Sequence, residues 1–300
     1  MATVLQTATP RLGARRGAWA DYLELSKPEV TSLILAAAAV GFYAGSPGAL
    51  RWVALLHTLA GTLLLASGTA ALNQFWERDL DARMHRTARR PLASGRMAPR
   101  RALLFGAVTI LCGFAWLAAA TNWLAAALGL LTSVTYLLFY TPLKRRSTLC
   151  TTVGAFPGAV PPLIGWAAAA GDLTVGAWIL YAILFLWQFP HFMAIAWLYR
   201  EDYGRAGIVM LPVVEPDGRS TAWQVLAASA ALVPVSLALT AVGLAGPVYF
   251  AGALLLGIGF LYGGYRLARA RTLLEARRLL HASVIYLPLL YGLLLIDFKN

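Results

Sequence analysis

Nine stretches of this 300-residue chain are apolar over lengths near the roughly 20 residues that a helix needs to cross a bilayer. They run over residues 28–46, 52–72, 102–120, 123–141, 150–170, 174–198, 222–243, 247–265 and 280–297. Charged residues make up 13% of the chain against 59% hydrophobic, about half the charge of a soluble domain, and the mean hydropathy is +0.66. A soluble core of this length could not hide so much apolar surface. In lipid every backbone N–H and C=O must be bonded within the protein, so the spans are helices, and no alternating pattern suggests a barrel. The expected fold is an all-α, polytopic membrane bundle of nine transmembrane helices, capped on one face by long loops.

The basic residues give this bundle a direction. Of 25 Lys and Arg, 23 lie in the N-terminal segment or in the connections after spans two, four, six and eight; only Arg51 and Lys299 lie on the other side. The positive-inside rule then makes the N-terminus cytoplasmic and the C-terminus external, which requires an odd number of spans. The net charge of +12 is accounted for by this loop bias, and no nucleic-acid partner is expected. Residues 1–26 read as a flexible cytoplasmic tail without the apolar stretch of a secretory signal, and 27–300 as one intramembrane domain. Cys112 and Cys150 have no partner at metal-ligand spacing and read as small buried apolar residues.

The long connections on the inner face carry most of the acids, and chemistry is expected there. Directly after span two, Asn73, Glu77 and Asp81 are each four residues from the next, so on a helix they share one face, and His85 continues the stripe. Two carboxylates one turn apart repel unless something positive lies between them. A hard divalent cation such as Mg2+, held jointly with substrate phosphates, would meet that need. Eight arginines lie between Arg78 and Arg101. Among them Arg90 and Arg96 flank a Pro-Leu-Ala-Ser-Gly turn, and guanidinium forks match phosphate oxygens. Positive-inside bias is the plainer reading of the other arginines.

Three further groups stand out. Tyr140 and Lys144, again four apart, end span four beside Arg145, either as a diphosphate-binding point charge or as a basic stop signal. His191 lies deep in span six, where a histidine is either hydrogen-bonded to a neighbour or engaged in porphyrin binding or proton transfer. Asp202 is eleven residues on, about three helical turns, so a continuous helix would align it with His191 as part of a cation site. In span five, Pro157, Pro161 and Pro162 with Gly154 and Gly158 predict a broken helix, either a packing kink or a cavity wall.

Taken together, these residues resemble the UbiA superfamily of intramembrane prenyltransferases. Its Asn-xxx-Asp-xxx-Asp motif falls on Asn73, Glu77 and Asp81, with Glu77 where Asp is usual, and its Tyr-xxx-Lys motif falls on Tyr140 and Lys144. Residues 143–148, 158–166, 190–192 and 202–212 are similar to the haem-farnesylating branch, the protohaem IX farnesyltransferase (haem O synthase) family. Tyr199 and Tyr203 stand where a second acidic motif would be, with Asp202 adjacent. The resemblance implies conversion of haem B, farnesyl diphosphate and water to haem O and diphosphate, in a bacterial cell membrane. It implies Mg2+ held by Asn73, Glu77, Asp81 and Asp202, and diphosphate held by Arg90, Arg96, Tyr140, Lys144 and Arg145. His191 is the implied haem-binding candidate, and a haem A synthase is the expected partner downstream. A UbiA-type enzyme acting on a quinone precursor or chlorophyllide is the nearest alternative. An ion-coupled transporter would spread polar residues over both leaflets, whereas here they gather on one.

Overall fold

The computed structural model describes residues 17–46 and 48–299. In chain order its helices are α1 (Ala18–Leu25), α2 (Pro28–Gly45), α3 (Trp52–Asp81), α4 (Pro99–Ala120), α5 (Trp123–Thr135), α6 (Thr141–Leu143), α7 (Cys150–Gly158), α8 (Pro161–Ala170), α9 (Val175–Leu198), α10 (Arg200–Arg205), α11 (Leu211–Val214), α12 (Arg219–Ala241), α13 (Pro247–Ala270) and α14 (Leu273–Ile296). A π-helical turn, Tyr136–Tyr140, joins α5 to α6. Nine spans long and apolar enough to cross a membrane are present among the described residues, with α5–α6 and α7–α8 each forming one. Leu56, Leu104, Leu111, Leu255 and Ile258 on their outer faces are more than half exposed, as expected of side chains that meet lipid. The chain is a multi-pass membrane protein.

The broken fifth span is the central post. Its most apolar window is 72% buried, against 28–56% for the other spans, and residues 161–169 of α8 are all buried. The helix breaks at Ala159 and Val160, between Pro157 and the Pro161-Pro162 pair that opens α8. Close approach explains two glycines: a Cβ at Gly165 would collide with the Ala38 carbonyl on α2, and one at Gly41 with the Pro162 carbonyl. Gly154 and Gly158 allow close approach to neighbouring elements, making room for the Tyr140 ring and for the Gln188 amide of α9.

One segment and one cysteine differ from their sequence reading. Within the expected flexible tail, Ala18–Leu25 is helical, with Leu25 fully buried against Ala71, Leu92 and Ala102; residues 1–16 lie outside the described residues. Eight residues offer too short a period for sequence to separate from a tail. Cys150 is buried with its Sγ 3.6 Å from Met210 Sδ, whereas Cys112 is exposed on α4.

Candidate active site

The 30 residues of α3 span about 45 Å at 1.5 Å each, well beyond a hydrocarbon core of about 30 Å. Its last two and a half turns therefore carry the Asn73, Glu77 and Asp81 stripe beyond the apolar stretch while staying inside the protein. All three are buried, at 1%, 6% and 1% exposure. The helical period decides which acid turns inward: the side chain of Asp79, off the stripe, is 79% exposed against 2% for Asp81.

Each stripe residue faces a cation from elsewhere in the chain. Lys27 Nζ donates to Asn73 Oδ1 at 2.9 Å, and Lys144 Nζ to Glu77 Oε1 at 2.7 Å. Arg90 Nη1 donates to both Asp81 oxygens at 2.9 and 2.8 Å. Asn73 Nδ2 also donates to Thr141 Oγ1 at 3.2 Å. This fixes its amide so that the oxygen points at the lysine. The acids are neutralised one by one, which is what makes two stacked carboxylates tolerable at such burial.

Local backbone aims the cations. Lys27 caps α2 in the left-handed region, at φ 48° and ψ 66°, a conformation that costs a non-glycine residue energy; Pro28 follows it and starts the helix. Lys144 follows the π turn. Pro142 has no N–H to give the preceding turn, and Thr141 Oγ1 instead donates to the Tyr136 carbonyl at 2.9 Å. The Lys144 ammonium then lies 4.6 Å over the Tyr140 ring. Their environments push the two lysines apart. Burial, joined by the repulsion of Arg90, lowers Lys27 to about 7. Burial would also lower Lys144, but the Glu77 carboxylate overrides it and holds the ammonium well above its ordinary value.

Other expected site residues are placed differently. The helix ends at Asp81, so His85 lies in the following turn, is exposed, and does not continue the stripe. Asp202 accepts from the backbone amides of His85 at 3.3 Å and Arg86 at 3.2 Å and pairs with Arg205. It clamps the loop after α3. The continuous helix expected from His191 to Asp202 is interrupted at Tyr199, φ −112° and ψ 22°. Arg96 turns away to Asp21 and Glu24, both at 2.7 Å, and ties α1 to that same loop. Arg145 is exposed beside the site. His191 Nδ1 is hydrogen-bonded to Ser283 Oγ at 2.7 Å, and its ring stacks on Trp187 with centroids 4.6 Å apart. Lys27 was missed as a site residue; its one sequence signal is a lone lysine before the proline that opens a span.

Among the described residues no three His, Cys, Asp or Glu side chains converge as a metal centre. The donors that do face inward on α3 are an amide oxygen and two carboxylates, each already opposite a positive charge. Such hard oxygens suit Mg2+ rather than a soft metal, and three of them leave coordination positions for phosphate oxygens.

A buried acid stripe facing a basic one lies at the charged end of this membrane bundle, and the chain is a prenyl-transferring enzyme of the UbiA prenyltransferase family, whose model matches residues 34–287. Its relatives include the Protoheme IX farnesyltransferase of Solibacter usitatus (strain Ellin6076), 56% identical, with 92% of this chain and 98% of that protein covered. Among solved structures, a digeranylgeranylglyceryl phosphate synthase superposes with a TM-score of 0.78 at 15% identity, over 93% of this chain and 98% of that one. A UbiA homologue from Archaeoglobus fulgidus bound to GPP and Mg2+ gives 0.63 at 16% identity, over 91% and 99%. These two likenesses concern the fold.

Proposed function

We propose that this chain transfers the farnesyl group of farnesyl diphosphate to a vinyl group of haem B, giving haem O. The observation that carries the reading is the matched pair of stripes: Asn73, Glu77 and Asp81 against Lys27, Lys144 and Arg90. Its near-full-length likeness to a protoheme IX farnesyltransferase supports the acceptor. The bond from farnesyl C1 to the bridging oxygen breaks, and diphosphate leaves with the electron pair. The terminal vinyl carbon bonds to C1, water adds to the inner vinyl carbon, and one water proton is released.

The protein's part in this is electrostatic. Lys27, Lys144 and Arg90 are placed to take up the charge that grows on the departing diphosphate. Asn73, Glu77 and Asp81 would hold Mg2+, which supplies further neutralisation of that leaving group. Asp202 keeps the Arg90 loop in place from behind. Aromatic residues of α7–α9 would stabilise an allylic cation where water is scarce. His191, its Nδ1 engaged by Ser283, has Nε2 left for the porphyrin or for a proton. The loop charges support an orientation with the N-terminus in the bacterial cytoplasm and this site on the inner face.

The direct test is to incubate the purified protein with haem B, Mg2+ and farnesyl diphosphate and weigh the haem product. The expected result is a farnesylated, hydrated haem that vanishes with chelator. Diphosphate release with a quinone precursor, and no haem product, would replace the acceptor while keeping the site.

A further inference from the structure

A second basic site lies on the far side of the bundle, between the inner ends of α12 and α13. It is a groove of about 240 Å³ lined by Arg219, Trp223 and Leu226 from α12, and by Tyr265, Arg269 and Arg271 at the end of α13. Three guanidiniums converge there without a carboxylate partner among the described residues. By contrast Arg266 and Arg278 nearby are both paired with Glu275. The nearest acids point elsewhere: Asp217 accepts from the Arg219 amide at 3.4 Å and Glu215 from the Ser220 amide at 2.8 Å. Arg271 is fixed by bonds from Nε to the Ala268 carbonyl and from Nη1 to the Asp217 carbonyl.

The walls identify the ligand class. Trp223 is 68% and Tyr265 48% exposed, side chains of the kind that settle at headgroup depth. Leu226 lies one turn deeper along α12 and continues the groove onto the lipid-facing surface. Beneath the floor a void of about 10 Å³ shares Ala222 and Arg271 with the groove and is lined by Thr221. The Thr221 hydroxyl is 2% exposed as a residue and has no protein partner. The groove is open towards the lipid-facing surface, and its roughly 240 Å³ has room for a headgroup.

We infer that this groove binds the phosphate of an anionic phospholipid of the inner leaflet, with Arg219, Arg269 and Arg271 on the phosphate oxygens, Trp223 and Tyr265 at the glycerol level, and an acyl chain along Leu226. Basic pockets between transmembrane helices on the cytoplasmic side take such headgroups. A free phosphate would satisfy the guanidiniums but has no use for the apolar wall.

The test uses the full-length protein in detergent, titrated with phosphatidylglycerol or phosphatidylcholine and read by native mass spectrometry. The expected result is a preference for phosphatidylglycerol that falls roughly ten-fold in the double variant Arg219→Gln with Arg269→Gln, while farnesyl transfer in detergent is retained. Trp223→Ala, a change on an exposed wall, should weaken the same preference and serves where the double variant does not fold. Equal retention of the two lipids by the parent protein, or an unchanged preference in a folded variant, overturns the assignment. So does displacement of the lipid by millimolar inorganic phosphate, which would make this a free-phosphate site.

Discussion

At the scale of single residues, the partner each side chain faces distinguishes the α3 stripe from the ties that hold its loop. Asp81→Ala removes the partner of Arg90 and an expected metal donor. It should lower kcat/KM by roughly 10²- to 10³-fold with expression and membrane insertion intact, measured by haem product formation. Glu77→Asp should retain most activity, because it keeps the carboxylate that Lys144 faces. Arg96→Gln should behave oppositely to Asp81→Ala. Its pair with Glu24 is partly exposed, but Asp21 is buried at 7% exposure, so the loss exceeds that of a surface pair and is about 1–3 kcal/mol, read as a lower Tm with an unchanged KM for farnesyl diphosphate. An equal rise in that KM would return Arg96 to the diphosphate. The stripe on α3 was legible because a period of four needs only a helix. Its partners were not, because Lys27 is 46 and Lys144 67 residues away, and proximity across such distances is a property of packing. Asp202 reads from sequence as part of a cation site, because its engagement with two backbone amides leaves no mark in a side-chain pattern.

At the scale of elements, the nine spans could be read from hydropathy alone, and the observed limits differ mainly where a helix outlasts its apolar stretch, as α3 and α14 do. The break in span five was also legible, because proline acts locally. The π turn at Tyr136–Tyr140 was not: it depends on Thr141 and Pro142 together, and on Tyr140 filling the space that Gly154 leaves. The α2–α8 contact makes a quantitative prediction. Gly165→Ala places a methyl against the Ala38 carbonyl, backbone that has no rotamer with which to yield. It should destabilise the protein by about 1–3 kcal/mol, seen in thermal unfolding in detergent. The same change at Gly259, where an added Cβ would meet nothing within 4 Å, should leave the Tm unchanged or raise it.

At the scale of the whole molecule, the bundle places a water-seeking reaction end and a lipid-soluble pair of substrates on one axis. Polar machinery sits at the inner ends of α2, α3 and α6, and α7 packs beside it where Gly154 meets the Tyr140 ring, while α8 lies in the outer half of the bundle, where the Ala167 carbonyl accepts from Asn122. Chelation should abolish product formation and added Mg2+ should restore it, without change in the far-ultraviolet circular dichroism, since Glu77 and Asp81 already have Lys144 and Arg90 as partners. The one-to-one pairing of the two stripes has a consequence for how ligands are admitted. A metal ion arriving alone must evict ammonium and guanidinium groups that have nowhere to go, and a polyanion arriving alone must strip them from their carboxylates. Arriving together, each ligand accepts what the other displaces. Titration calorimetry should therefore find weak binding of Mg2+ or diphosphate separately and a reciprocal gain in affinity when both are present, a heterotropic coupling set by the resting charge balance of the protein.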